Sequence, residues 1–214
     1  EAAPRVLLAP TILTNAVGAE TVEARAAVCR ELQADGSEKR TRHLELTLPD
    51  GFIYRAGDHL GVCPRNNEER VERLARHLGA ELDGLFMVPQ SLNVRVVPKG
   101  VVLQVRNVLT NLVDICGLPT LPLLELLTAK AADADDRSGL ERIVRVLDST
   151  DEGAPELRAT IAGGGYDVIE LLDEFSSCSI NIFEFLQVAQ PLRPRYYSTS
   201  SSPQVHGDGI AHIA

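Results

Sequence analysis

The residues best suited to chemistry stand together in PLRPRYYSTSSSP, the stretch from residue 191 to 203. Arg195 carries a planar guanidinium fork that can bind two phosphate oxygens at once. If the stretch is a strand, Arg195 and Tyr197 lie on one face, about 7 Å apart. One ligand could then present a phosphate to the arginine and a flat ring to the tyrosine, with Ser198 at the ring's edge. The competing interpretation is an ordinary strand with Tyr196 or Tyr197 in the core and the following serines in a turn.

A second candidate is the run EKRTR at 38–42, the densest positive charge in an acidic chain. Lys39 and Arg40 on a tight loop could contact an anion such as phosphate; the other interpretation is a solvated turn between strands. The triple glycine at 163–165 follows a helical pattern rather than a strand, so it predicts an inter-helix turn. The acidic run at 133–136 does not match the positions of a calcium loop.

Composition narrows the function classes further. The chain has 214 residues, 21 Lys and Arg, and 30 Asp and Glu, which gives a net charge of −9. This charge argues against nucleic acid or an anionic membrane as a partner. The five histidines and four cysteines show no metal-ligand spacing. The scattered cysteines are typical of reduced thiols in a cytoplasmic protein, and no stretch predicts a membrane span or a signal peptide.

The first third of the chain predicts antiparallel strands. Residues 21–29 alternate in hydrophobicity, and HLELTL at 43–48 places its leucines on one face. A Pro-Asp-Gly turn precedes a further strand that starts at 52–54, and residues 57–64 predict a short strand ended by proline. Turns spaced so closely are typical of a small barrel or sandwich.

A helical pattern follows the early strands. Asn66 with Glu69 predicts a capped helix start, and Gly79 predicts the end of that helix. Helical periodicity dominates residues 107–189, and strand composition returns at 195–214. The chain therefore holds either separate β and α domains or one β domain with a helical insertion. Because an isolated hairpin is marginally stable in water, the last strands should pair with the early ones, which favours the insertion.

Two long stretches resemble a known family. They are RPRYYSTSSSP and RHLELTLPDGFIYRAGDHLGVCPRNNEERVERLARHLGAELD. Both are similar to the diflavin reductases, whose FAD-binding domain is of the ferredoxin–NADP reductase type, and the likeness is greatest to the reductase half of bacterial self-sufficient fatty-acid monooxygenases. The resemblance implies an α+β fold: an antiparallel six-stranded FAD-binding β-barrel, incomplete here, with an inserted α-helical connecting domain. The implied divisions are a lead-in at 1–19, barrel parts at 20–64 and 191–214, and the connecting domain at 65–190.

The resemblance also implies roles for single residues. Arg195 should bind the FAD pyrophosphate, Tyr197 should pack on the isoalloxazine, and Tyr196 should contact the ribityl–phosphate part. Ser198 should hydrogen-bond near flavin N5, where the hydride arrives. The remaining expected contacts are the backbone of Ile213 and Ala214 beside the ring, and Lys39 or Arg40 on NADPH.

The implied function is electron transfer. In the intact protein, NADPH would pass a hydride to FAD, and electrons would continue through FMN to a haem protein. The expected partners are an FMN domain of the flavodoxin type, a haem domain or haem protein, and an NADPH-binding domain that this chain lacks. We expect the chain alone to be inactive as a reductase and to dimerise through an exposed barrel edge. The alternative is a non-catalytic docking module with an empty barrel.

Overall fold

The computed structural model of this chain describes residues 21–148, 159, 161, 163 and 165–214. The lead-in expected at 1–19 lies outside them. The strands are β1 (Arg25–Glu31), β2 (Arg42–Thr47), β3 (His59–Val62), β4 (Leu85–Met87), β5 (Val102–Gln104), β6 (Val113–Asp114), β7 (Gln190–Pro191), β8 (Arg195–Ser198) and β9 (Ile210–Ile213). The helices are α1 (Glu68–His77), α2 (Val105–Asn111), α3 (Leu121–Lys130), α4 (Ala134–Asp148), α5 (Val168–Glu174), α6 (Ile182–Val188) and α7 (Pro203–His206).

The described residues divide into two compact units. The β unit consists of residues 21–64 and 194–214, and the helical unit is the described part of Arg65–Arg193. Every strand pair among the described residues is antiparallel. The fold is therefore a mixture of helices and antiparallel sheets, with the helical unit between the two chain segments of the β unit.

The β unit holds two sheets that each join an early strand to a late one. One is three-stranded in the order β1-β2-β9, and the other pairs β3 with β8. Leu46 of β2 lies opposite Ala211 of β9, and Leu60 of β3 lies opposite Tyr197 of β8. The expected pairing of the last strands with the early ones is thus observed. The small core of this unit comprises Leu46, Leu48, Tyr54, Ala211 and Ile213.

The strand expected at residues 52–54 is wrong. Ile53 is 90% exposed, whereas Tyr54 is buried. The Tyr54 hydroxyl donates to the carbonyl oxygen of Ile210 at 2.5 Å and lies 2.6 Å from the Ser201 hydroxyl. Bonds from one side chain, rather than a β-ladder, therefore fix this stretch.

The helical unit is built mainly around leucine, valine and isoleucine. Its most buried side chains include Leu74, Leu103, Leu109, Leu124, Leu127, Leu140, Leu171 and Phe185. Two of its helices begin at well-formed side-chain caps: the Asp167 carboxylate accepts backbone N–H groups at the start of α5, and Asn181 with Glu184 forms a capping box at the start of α6. Caps of this kind satisfy the backbone donors that a helix leaves unpaired at its first turn.

The start of α1 differs from the expected one. The N-cap is Asn67, whose side chain accepts the N–H of Arg70, and not Asn66. The Asn66 amide instead donates to the carbonyl oxygens of Leu109 and Val113, at 2.7 Å each. Because the Asn66 side chain binds two carbonyls more than forty positions later in the chain, it stabilises tertiary structure and does not cap the helix.

Both chain ends of the helical unit are bound to one segment at the end of α2. The backbone N–H of Asn66 donates to Thr110, and that of Leu192 donates to Leu112. The short pairing of β6 with β7 places Val113 opposite Pro191. The chain therefore enters and leaves the helical unit at neighbouring points.

An ion-pair cluster joins α1 to the start of α5. The guanidinium of Arg70 binds the carboxylates of Asp167 and Glu170. Burial, together with the hydrogen bond to Glu170, raises the pKa of Asp167 to about 6. Burial opposes ionisation of Glu170 as well, but hydrogen bonds with Asp167 and Arg70 lower its pKa to about 2. The pair titrates as one system in which Arg70 stabilises the negative charge.

We predict that Arg70→Gln lowers the free energy of unfolding by about 3 kcal/mol at neutral pH, because two partly buried carboxylates lose their cation. The deficit should shrink at about pH 5, since Asp167 has a raised pKa and becomes protonated there, which removes the repulsion. Urea unfolding curves, monitored by circular dichroism at both pH values, measure this loss of unfolding free energy. Arg73→Gln is the matched control: Arg73 pairs with the exposed Asp173, so its loss should stay below about 1 kcal/mol. Equal losses in the two variants would contradict the assignment.

Candidate functional site

Strand β8 carries the four residues on which the sequence prediction concentrated. Tyr197 is half-buried and packs against the core of the β unit. Tyr196 is 66% exposed, and Arg195 and Ser198 are also exposed. The question of which tyrosine belongs to the core is thereby answered: it is Tyr197, and the ring of Tyr196 is available to a ligand.

Tyr196 lies across Gly61 on the neighbouring strand. The two residues are directly opposite in the β3–β8 pair, and a methyl group added at Gly61 would come within 3.1 Å of Tyr196 Cε1. Glycine inside a strand often marks a place where another group approaches closely. Gly61 therefore lets the exposed ring rest against the strand.

The side chain of Arg195 has no hydrogen bond or ion pair with any residue in the described part of the chain, although its backbone pairs with Val62 in the β3–β8 ladder. It stands at the first position of β8, opposite Val62. In contrast, Arg70, Arg73 and Arg106 of the helical unit all bind carboxylates. The guanidinium of Arg195 is thus accessible to an anionic ligand, with a tyrosine ring next to it in sequence.

Ser198 ends β8 beside a histidine that the sequence prediction did not single out. Its hydroxyl oxygen lies 3.5 Å from Nε2 of His59, the residue directly opposite in β3. Directly opposite side chains in an antiparallel pair are close enough to interact. His59 can therefore orient the Ser198 hydroxyl when a ligand approaches.

The hydroxyl run after Tyr197 alternates between exposed and buried residues. Ser198 and Ser200 are exposed, whereas Thr199 and Ser201 are buried. Thr199 accepts the N–H of Gly57 and donates to the carbonyl of Arg55. The buried hydroxyls form the hydrogen bonds that fix the turn. The exposed hydroxyls are therefore free to bind a ligand.

Ser201 completes a small hydrogen-bond network. It accepts the N–H of His212 at 2.9 Å. Because the single Tyr54 hydroxyl proton is used on the Ile210 carbonyl, Ser201 must donate to the Tyr54 oxygen. The network ties the segment after β8 to β9 through one buried tyrosine.

The other expected site residues lie elsewhere. The Ile213 side chain is buried in the core of the β unit, so only its backbone is available, and Ala214 is exposed directly after β9. Lys39 and Arg40 lie in the exposed loop between β1 and β2, and no bond joins them to β8 among the described residues. Backbone N–H groups of Thr41 and Gln33 lower the pKa of Glu31, which closes that loop.

Comparison with known proteins now identifies the family. A family model described as "FAD binding domain" matches residues 16–214. The chain belongs to this family of FAD-binding domains. It is 32% identical over 190 residues to the bifunctional cytochrome P450/NADPH–P450 reductase 1 of Bacillus subtilis, covering 87% of this chain and 17% of that protein. It is 30% identical over 186 residues to the NADPH–cytochrome P450 reductase of Dictyostelium discoideum, covering 86% and 27% respectively.

These relatives are much longer than the chain, which spans between about a sixth and about a quarter of their length. Among the described helices, none is long and apolar enough to cross a membrane.

The residues on β8 fit FAD. Arg195 offers an unpaired fork for a pyrophosphate, and Tyr196 offers an exposed ring that Gly61 accommodates. The sequence prediction singled out Arg195 and Tyr196 as candidates, and it did not single out His59, Gly61 or Tyr54. The signal for Gly61 was available, because glycine in the middle of the predicted strand at 57–64 indicates a close approach.

We predict that Tyr54→Phe destabilises the β unit by about 2 kcal/mol, because the Ile210 carbonyl and Ser201 lose a buried partner. Local opening of β9 should then become about thirtyfold more frequent, measured as faster amide hydrogen exchange of Ile210–Ile213. Tyr196→Phe removes the same hydroxyl from an exposed ring and should leave exchange unchanged. Protection of β9 that survives in Tyr54→Phe would show that the network is not what holds this strand.

Proposed function

We propose that this chain binds FAD along β8 and forms the FAD-binding domain of an NADPH-dependent diflavin oxidoreductase. The observation that carries the proposal is the unpartnered Arg195 next to the exposed ring of Tyr196, both on a strand whose partner has a glycine beneath that ring. An anionic group and an aromatic or ribityl surface can bind there together. The matched family and the reductase names of the relatives support the same cofactor.

Each residue of β8 has a distinct role in this proposal. Arg195 binds the pyrophosphate through paired N–H donors. Tyr196 covers the ribityl–phosphate part, and Tyr197 presents the exposed portion of its half-buried ring to the isoalloxazine. Packing of Tyr197 on the core fixes that ring before the cofactor arrives, which lowers the entropy lost on binding. The backbone of Ile213 and Ala214 borders the ring system.

Ser198 and His59 supply the polar end of the site. When bound, FAD would accept a hydride from NADPH and release electrons singly. Ser198 places its hydroxyl near N5, and His59 holds that hydroxyl in position from the opposite strand. Lys39 or Arg40 contacts NADPH from the loop between β1 and β2.

The wider architecture is part of the proposal. The strands of the β unit belong to an antiparallel six-stranded barrel, and the helical unit is the connecting domain inserted into it. The domain limits expected at 64/65 and 190/191 compare with unit limits at Pro64 and Arg193.

We further propose that electrons leave through an FMN domain for a haem protein, in the cytoplasm, where the four free thiols would stay reduced. Association of two chains would use an outer strand, β1 or β9.

We predict that Arg195→Ala weakens FAD binding by about tenfold to a hundredfold, because a charge-assisted bond to phosphate is lost. Arg193→Ala is the matched control: Arg193 is also exposed but lies outside β8, between two prolines. Titration of FAD fluorescence with each purified variant gives both affinities. Equal affinities in the two variants would sink the assignment of Arg195 to the pyrophosphate.

A visible absorption spectrum separates the proposal from the docking-module alternative. The chain reconstituted with FAD should show the flavin bands after gel filtration, and Arg195→Ala should lose them. A colourless wild-type chain that retains its circular dichroism spectrum would favour the docking module.

A further inference from the structure

Three histidines and one glutamate of the β unit meet on the face of the sheet opposite its core. Leu44, Leu46 and Ile213 point to the core side, so the alternation of side chains places His43, Glu45 and His212 on the other side. Glu45 and His212 are directly opposite in the β2–β9 pair. The cluster joins residues far apart in sequence, which explains why no spacing pattern reveals it.

The distances within the cluster are close to those of a metal site. His43 Nε2 lies 3.3 Å from one oxygen of Glu45, and His212 Nε2 lies 3.9 Å from the other. One ligand atom from each of the three residues lies within 4.8 Å of the others. Ligands at about 2.0–2.2 Å from a tetrahedral zinc ion are separated by roughly 3.3–3.6 Å. Small side-chain rotations would therefore bring all three to one ion.

The surroundings of the cluster favour an ion over free solvation. His43 is buried, and the side chains of Glu45 and His212 are only 32% and 13% exposed. The rings of His43 and His212 meet edge to face, with centroids 5.1 Å apart, and the ring of His206 lies tilted against that of His212, with centroids 4.4 Å apart. These contacts limit ring rotation, so the ligands are held before binding.

We propose that His43, Glu45 and His212 bind a divalent transition-metal ion of the zinc class. Two imidazole nitrogens and one carboxylate oxygen suit Zn²⁺, and three protein ligands leave the fourth position for water. His206 orients His212 by ring contact and is not a ligand. The negative charge of Glu45 offsets part of the ion's charge. Arg30 on β1, directly opposite His43, carries a positive charge that opposes binding of the ion. The ion fastens β2 to β9.

The test is calorimetric titration of the metal-free chain with ZnCl₂ in a non-coordinating buffer. We expect one ion per chain at micromolar concentrations, a higher melting temperature with Zn²⁺, and visible absorption bands of tetrahedral Co²⁺ when cobalt replaces zinc. His212→Gln and Glu45→Gln should each weaken binding by more than about tenfold, since even groups that only support a ligand matter that much. Glu45→Gln keeps the side-chain size and serves if His212→Gln does not fold.

The matched control is His77→Gln. His77 is a partly exposed histidine of the helical unit that binds Asp173, so its loss removes one imidazole without touching the cluster. Zinc affinity should be unchanged in it. Absence of binding at millimolar ZnCl₂, or an equal loss in His77→Gln and the cluster variants, would overturn the proposal and leave a hydrogen-bonded cluster only. Loss of binding in the cluster variants alone, with folded protein by circular dichroism, supports it.

Discussion

Hydrogen bonds at the end of α2 hold both ends of the helical unit, and the β unit depends on them. Joining chain ends across an insertion of about 125 residues costs roughly 4 kcal/mol of loop-closure entropy. Strands β3 and β8 have only four residues each, which is short for a strand pair that would have to offset this entropy cost. Because Asn66 and Leu192 bind the segment from Leu109 to Val113, packing within the helical unit meets the closure cost. The late strands of the β unit can then pair with the early ones because the chain leaves the helical unit close to the point where it entered it.

Within the β unit, hydrogen bonds of buried hydroxyl groups supply stabilisation that apolar packing supplies in the helical unit. Its core is small, and Tyr54 fills it with a ring whose hydroxyl must find a partner. Ser201 and the Ile210 carbonyl provide that partner, while Thr199 binds the turn at residues 55–57. Every second residue after Tyr197 is thus committed to structure. Ser198 and Ser200, which alternate with them, stay exposed. The exposed Ser198 of the candidate site is therefore carried on a fixed backbone.

The sequence predicts the order of elements well because hydrophobic periodicity is a local property. Helices at the middle of the chain and β2 follow from it. The pairing of late with early strands follows from a different argument, that an isolated final hairpin would be marginally stable in water. Periodicity fails where a side chain binds far away in the chain. Asn66 and Asn67 are equally good caps by type, and the choice between them depends on carbonyls at the end of α2. The stretch at 52–54 has strand composition, yet Tyr54 is held by residues more than 140 positions later.

The same limit applies to the sites. Arg195, Tyr196 and Ser198 are adjacent in sequence, so a local pattern finds them, whereas His59 and Gly61 become partners only through the β3–β8 register. The histidine cluster is hidden more completely, since its two strands, Arg42–Thr47 and Ile210–Ile213, are widely separated in the sequence. His212 connects the two regions: its backbone N–H and carbonyl bind Ser201 and Ser200, while its ring points to Glu45. An ion that fixes this ring therefore also fixes the backbone that follows the proposed FAD strand.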